Sequence, residues 1–182
     1  FMVLDRASSP AHVRERARTG LLAAQPEAWP KLIPEALRDA DPAAQTAALR
    51  VLRDAGSQAM LTVIPALIDI FPDLQATTQV RLLGVFGTIP VAAAGPMITK
   101  RLTSPDPLVR RQAIAALGAS GGVDVAKELL RVLGDGAGED VPFVLRALAA
   151  LHGDAVNAHL VAALSAADAP HLPALVGVLA QR

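Results

Sequence analysis

A single helix with both of its boundaries is predicted by the stretch Ser104-Pro-Asp-Pro-Leu-Val-Arg-Arg-Gln-Ala-Ile-Ala-Ala-Leu-Gly-Ala-Ser-Gly121. Pro105 and Pro107 suit the start of a helix, because proline lacks the N–H group that has no partner in the first turn. Asp106 and Ser104 are candidate N-caps, since their side-chain oxygens can accept hydrogen bonds from the free N–H groups of that turn.

The apolar side chains of this stretch fall on one face of the predicted helix. They follow helical spacing at Val109, Ala113, Ala116 and Leu117. We expect Gly118 and Gly121 to end the helix, because glycine is common just past a helix C-terminus. The stretch therefore predicts an amphipathic helix with a buried stripe.

Related patterns recur along the chain at a regular period. Three dipeptides are evenly spaced: Ile33-Pro34, Ile64-Pro65 and Gly95-Pro96. Three glycines keep the same even spacing: Gly56, Gly87 and Gly118. Apolar anchors advance by a similar step: Leu52, Phe86, Leu117 and Leu151. The period is about 31–34 residues, a length that two helices of three to four turns fill together with their connections.

The chain accordingly divides into five predicted helix pairs. Their members are Ala11–Ala24 with Glu27–Arg38, Pro42–Ala55 with Gln58–Ile70, Asp73–Phe86 with Val91–Leu102, the quoted stretch with Val123–Leu133, and Asp140–Leu151 with Ala155–Ser165. A last helix is expected near Pro170–Ala180. Because Pro34, Pro65 and Pro96 lie inside or near the start of the second helices, we expect a shared bend there.

No low-complexity linker interrupts the sequence, so we expect residues 1–182 to form a single domain. Phe1 precedes Met2, and both ends of the chain are apolar. Because helical-repeat arrays need polar caps at their ends, we expect this domain to be a piece of a longer protein. The alternative is that the last helix is itself the cap and that the N-terminal residues fold over the first pair.

Composition excludes several classes of protein. Apolar residues make up 52% and aromatic residues 3%, which favours helices packed through small side chains over a β-sandwich. Lys+Arg and Asp+Glu number 17 each, so the basic excess typical of nucleic-acid binding is missing. No cysteine is present, which excludes disulfides and thiolate metal sites. With no apolar run long enough to span a bilayer and no visible signal peptide, we expect a cytoplasmic protein.

No arrangement of residues predicts catalysis. The four histidines lack the spacing of a metal-binding pair, so we interpret them as surface or partly buried residues: His12, His152, His159 and His171. The glycine-rich segment Gly134–Gly138 lacks the lysine and serine that end a phosphate-binding loop. Trp29 is interpreted as a core residue. We therefore expect no enzyme activity, no metal and no cofactor.

A resemblance to the HEAT repeat, of the short kind found in phycobilisome-lyase-like proteins, rests on Asp106-x-x-Val109-Arg110-x-x-Ala113-x-x-Ala116-Leu117-Gly118. The segment from Asp41-Pro42 to Gly56 matches less fully, with Arg53 where the fourth pair has Gly118. The resemblance implies an all-α, right-handed α-solenoid of about five antiparallel helix pairs plus a terminal helix. First helices would line its convex side and second helices its concave side.

The same resemblance implies a scaffold or adaptor, although a few members of the family are bilin lyases or isomerases and some are DNA glycosylases. Polar residues of the second helices are expected to line a concave groove: Lys31, Glu35, Thr62, Asp69, Lys100, Lys127 and Arg131. The partner would be a peptide, a protein surface or a neighbouring domain of the parent chain. A bilin lyase or isomerase subunit is the alternative, and neutral charge disfavours nucleic acid.

Arg110 and Arg111 leave two interpretations open. Arg110 could contact an acidic residue of an adjacent turn, which the resemblance favours. Alternatively, the two arginines could belong to a basic patch with the neighbouring cations Lys100, Arg101, Lys127 and Arg131.

Overall fold

The computed structural model describes residues 9–89, 92–135, 138–166 and 172–180, and most of these residues lie in helices. They are α1 Ala11–Ala23, α2 Trp29–Arg38, α3 Pro42–Leu61, α4 Ile64–Ile70, α5 Ala76–Thr88, α6 Gly95–Thr99, α7 Pro107–Ser120, α8 Val123–Gly134, α9 Val141–Ala150, α10 Asp154–Ala166 and α11 Leu172–Ala180. Short 3-10 turns precede several of them: Pro26–Ala28 before α2, Ala92–Ala94 before α6 and Gly138–Asp140 before α9. No strand occurs within these ranges, so the predicted all-α class is confirmed.

The helices group into two compact units, an N-terminal unit (Phe1–Val85) and a C-terminal unit (Phe86–Arg182). In the N-terminal unit, α1 packs against α3, and α2 packs against α3 and α4. In the C-terminal unit, α7 packs against α9, α8 against α9 and α10, and α11 against α9 and α10. First helices thus neighbour first helices and second helices neighbour second helices, as in stacked helical hairpins.

Helix α7 explains how the quoted stretch folds. It begins at Pro107, and the Asp106 carboxylate accepts hydrogen bonds from the backbone N–H groups of Leu108 (2.8 Å) and Val109 (3.3 Å). The predicted stripe is buried along its whole length: Val109, Ala113, Ala116 and Leu117. Because burying a leucine or valine side chain stabilises a fold by about 1.5–3 kcal/mol, this stripe anchors α7 in the C-terminal unit.

Gly118 lies inside α7, so the prediction that it ends the helix is wrong. The helix continues to Ser120, and only Gly121 stands at the C-terminal boundary. A Cβ atom at Gly118 would lie 2.8 Å from the Cα atom of Ala147 on α9. Gly118 is therefore needed for the close approach of α7 and α9, and not for a turn.

The other two glycines of the evenly spaced series have different roles. Gly56 has φ 74° and ψ 174°, and it breaks α3 directly after the predicted helix Pro42–Ala55. This backbone conformation is open to glycine and rarely to other residues. Gly87 lies inside α5, where an added Cβ would meet the Cα atom of Ala116 at 3.7 Å, an ordinary contact.

The second helix of the second pair is shorter than predicted. The expected helix Gln58–Ile70 is interrupted by a turn at residues 62–63, and α4 begins only at Ile64. Pro65 stands in the first turn of α4, because in a continuous helix its ring would clash with the carbonyl group four residues earlier.

The third pair repeats this correction. The expected helix is Val91–Leu102, and within its described part, residues 92–102, only Gly95–Thr99 is α-helical, with Pro96 in the first turn. Pro34, by contrast, lies inside α2. Pro65 and Pro96 therefore share a position at the start of their helices, but Pro34 does not, and the predicted bend common to all three is wrong.

One hydrogen bond recurs at the start of four first helices. A side chain on the helix donates to a backbone carbonyl five or six residues earlier: Arg14 to Ser9, Gln45 to Asp39 at 2.8 Å, Gln79 to Leu74 at 2.9 Å, and Arg110 to Ser104 at 2.8 Å. The bond ties each connecting segment to the helix that follows it. Repeats with different loop sequences thus enter their first helices in the same way.

Candidate binding surface on the second helices

In the N-terminal unit, most of the residues predicted to bind a partner lie on second helices, and their side chains are exposed. Lys31 and Glu35 are exposed on α2, and Asp69 is exposed on α4. Thr62 is also exposed, but it lies in the turn between α3 and α4, where its hydroxyl donates to the carbonyl of Ala59 at 2.8 Å. Glu35 lines a surface cavity together with Arg18 of α1.

The three predicted residues of the C-terminal unit are exposed too. Lys100 was expected inside a second helix, but it follows the last residue of α6 because that helix ends at Thr99. Lys127 and Arg131 lie on α8. Their positions at 127 and 131 place both on the same side of that helix.

Acidic neighbours on and just after α8 offset these two cations. The Lys127 ammonium lies 3.0 Å from the carboxylate of Asp124. The Arg131 guanidinium pairs with Glu128 at 3.1 Å and with Asp135 at 2.7 Å. The hydrogen bond that Arg131 donates to Glu128 raises the pKa of Arg131 above its ordinary value, and Asp135 adds to the effect. The surface of α8 therefore carries mixed charge.

A groove of about 630 Å³ lies between α6 and α8, the second helices of two successive pairs. Gly95, Pro96 and Thr99 form the α6 side. Val125 lines the α8 side, where Glu128 carries a carboxylate. The lining is mostly apolar, and the groove was not predicted from the sequence because it depends on the short helix α6, whose first turn contains Pro96.

Apolar side chains are also exposed on the corresponding part of the N-terminal unit. Leu61 is 45% exposed and Ile68 is 38% exposed, and Pro65 between them is exposed as well. Their spacing of four and three residues is that of one helix face, although a turn intervenes at residues 62–63. The apolar spacing was visible in the sequence, but its exposure depends on which face α4 turns toward α2.

Arg110 and Arg111 stabilise the stack of helices. The Nε atom of Arg110 donates a hydrogen bond to one carboxylate oxygen of Asp140. The Nε atom of Arg111 donates to the other oxygen at 2.7 Å. Burial by itself would raise the pKa of Asp140, but the hydrogen bonds from the two arginines outweigh it and hold the pKa below its ordinary value. Arg111 also pairs with Glu139 at 3.1 Å and stacks 4.9 Å from the centre of the Phe143 ring. The interpretation of Arg110 as a structural contact is confirmed, with its partner in the next repeat.

Asp41 forms the equivalent contact in the N-terminal unit. It accepts two hydrogen bonds from the Arg14 guanidinium, at 2.9 and 3.1 Å, and one from the backbone N–H of Ala43 at 3.0 Å. The bond from Arg14, helped by that from Ala43, lowers the pKa of Asp41 to about 2. Asp41 thus caps α3 and joins it to α1 at the same time.

The other residues singled out in the sequence lie outside the groove. Trp29 is buried, with its indole N–H donating to the carbonyl of Leu22 at 2.7 Å, so its interpretation as a core residue is confirmed. His12 and His152 are exposed and His159 is partly buried, whereas His171 lies outside the described residues. In the part of the chain that the structure covers, no three His, Asp or Glu side chains cluster as metal ligands. Within those same ranges, no helix combines the length and the apolar character needed to cross a bilayer.

Helical hairpins joined by short connections and stacked in register define a helical-repeat protein. A family model described as HEAT repeats matches residues 64–150, which run from α4 to the end of α9. These residues belong to the HEAT-repeat family, whose members generally serve as protein-interaction scaffolds. Assignment to the short, phycobilisome-lyase-like kind stays a prediction. Comparisons with curated proteins and with solved structures give no match.

Proposed function

We propose that this protein is a non-enzymatic interaction scaffold that binds a peptide or protein segment along its second helices. The main support for this proposal is the groove between α6 and α8. Its volume of about 630 Å³ lies within the range of about 300–1,000 Å³ typical of ligand sites. Gly95 and Gly122 leave room on both sides, since neither carries a side chain.

The lining favours an extended peptide segment with small apolar side chains. Val123 and Val125 supply apolar contact from α8, opposite Pro96 and Thr99. Burial of apolar surface on such walls is the main source of affinity in peptide recognition.

Charges along α8 would fix the direction of the bound segment. Asp124 and Glu128 lie at the groove, and their ion-pair partners Lys127 and Arg131 lie on the same helix, with Lys100 exposed at the end of α6. Alternating charges of this kind contribute more to specificity and orientation than to affinity.

The exposed apolar residues of the N-terminal unit support the same function. Leu61, Pro65 and Ile68 offer a second contact area, bordered by Asp69. Exposed apolar clusters with polar edges are typical of protein-interaction surfaces.

The proposal is tested by selecting peptides from a phage-displayed library on the immobilised protein. We expect selected peptides to bind Val125→Glu at least about tenfold more weakly, because the variant places an unpaired charge on an apolar wall. Leu108→Glu is the matched control, since Leu108 is 63% exposed on the first helix α7. Equal binding to wild type and Val125→Glu would contradict the groove assignment.

A second pair of variants tests the predicted polar residues. We expect Lys100→Glu combined with Arg131→Glu to weaken the selected peptides, whereas Arg16→Glu combined with Arg146→Glu, two exposed first-helix positions, should not. If the first pair left every interaction intact, these residues would not belong to the binding surface. Covalent uptake of a bilin by the purified protein would favour the lyase or isomerase alternative instead.

A further inference from the structure

A second cavity, of about 450 Å³, lies on the first helices of the N-terminal unit. Glu15 lines it from α1, Thr46, Arg50 and Arg53 from α3, and Arg81 from α5. It therefore involves none of the second helices on which the proposed function rests.

The cavity concentrates positive charge in a chain that is neutral as a whole. Three arginines face one carboxylate there, whereas basic and acidic residues are equal in number over the full sequence. Arg50 and Arg53 are three residues apart on α3, so they lie on one face of that helix.

The three guanidinium groups keep hydrogen-bond donors available. Glu15 accepts one bond from Arg50 at 3.0 Å. Arg81 donates to the hydroxyl of Thr46 at 2.7 Å, and that hydroxyl in turn donates to the carbonyl of Pro42, which orients Arg81 toward α3. The side chain of Arg53 is exposed and has no hydrogen bond or ion pair with any residue that the structure describes.

We propose that this arginine cavity binds an acidic protein segment through its carboxylate groups. Guanidinium groups bind carboxylates through paired, charge-assisted hydrogen bonds, and each arginine offers five N–H donors in a fixed geometry. Glu15 interrupts the positive charge of the cavity, so the arginines offer a few separate guanidinium groups and not a continuous basic track. The cavity therefore suits a few acidic side chains better than a nucleic-acid strand, which needs a long basic track.

The test measures fluorescence anisotropy of a fluorescein-labelled peptide, in which three glutamates are separated by glycine and serine, with the whole protein at low salt. We expect Arg53→Gln combined with Arg81→Gln to weaken binding about tenfold, since two exposed charge pairs are lost. The matched control is Arg38→Gln combined with Arg146→Gln, which removes the same charge at exposed positions outside the cavity.

A variant of opposite effect separates a specific site from a general response to net charge. We expect Glu15→Gln to tighten peptide binding about twofold or more, because it releases Arg50 and removes the one carboxylate that lines the cavity. Glu27→Gln, at an exposed position outside the cavity, should have a smaller effect. Equal losses in the two double variants would overturn the proposal, as would a DNA octamer binding as tightly as the peptide.

Discussion

Replacing Gly118 with alanine tests how closely α7 and α9 approach each other. The added Cβ atom would lie 2.8 Å from the Cα atom of Ala147, 2.9 Å from its Cβ and 3.2 Å from its carbonyl oxygen. Carbon atoms pack best at about 3.5–4.0 Å, so the two helices would have to separate by several tenths of an ångström. Backbone atoms form two of the three contacts, so no side-chain rotation can relieve the clash.

Two opposing effects set the size of the change. Overpacking a well-packed interior costs about 1–3 kcal/mol. Alanine is favoured over glycine inside a helix by about 1 kcal/mol, which offsets part of that cost. The difference is about 0–2 kcal/mol, and because all three contacts of the added Cβ are 3.2 Å or shorter, we expect Gly118→Ala to lower the free energy of unfolding by an amount in the upper part of that range.

Gly87→Ala is the matched control, because Gly87 comes one period before Gly118 in the glycine series and lies inside a helix in the same unit. An added Cβ there would meet Ala116 at 3.7 Å, which is normal packing distance. We expect this variant to gain about 0.5–1 kcal/mol from helix propensity. Urea denaturation followed by circular dichroism measures both variants. Equal stability of Gly118→Ala and Gly87→Ala would refute the close approach of α7 and α9.

Three further changes test other parts of the fold. Leu117→Ala should cost about 2–5 kcal/mol, since Leu117 is fully buried, and thermal melting without any loss would exclude it from the core. Gly56→Ala should cost about 1–3 kcal/mol, because alanine is strained at the positive φ angle of Gly56. Steric contact adds nothing to this cost, since an added Cβ would meet no atom within 4 Å. Unchanged stability in urea would contradict the positive φ angle. Asp41→Asn keeps a capping residue but loses the ion pair with Arg14, so it should cost about 1–2 kcal/mol at pH 7. The pKa of Asp41 is lowered to about 2. The stability difference between wild type and Asp41→Asn should therefore be fully present above about pH 4 and disappear as the pH falls through about 2. A stability difference that does not change with pH would contradict the ion pair.

Local signals in the sequence predicted most of the helices. Asp106 before Pro107 and the stripe ending at Leu117 specify α7 by themselves, because capping and helical spacing act over a few residues. Gly118 was assigned incorrectly for the converse reason. Its role depends on Ala147, which is distant in the sequence and lies on another helix.

The candidate site was less predictable than the fold. The exposure of the polar residues on the second helices could be predicted from the apolar stripes. Their ion pairs could not: Lys127 pairs with Asp124 and Arg131 with Glu128. These pairs reduce the basic character that the sequence suggested. The groove depends on the spacing between α6 and α8, which no residue pattern encodes directly. The arginine cavity likewise brings together Glu15, Arg50 and Arg81 from three helices, and so it was missed.

Hydrogen exchange measured by mass spectrometry, with and without a library-selected peptide, tests the proposed binding surface most directly. We expect bound peptide to slow amide exchange in residues 95–103 and 122–134, which contain α6 and α8. Protection of α7 and α9 without protection of α6 and α8 would contradict the proposed binding surface, because binding would then involve the first helices.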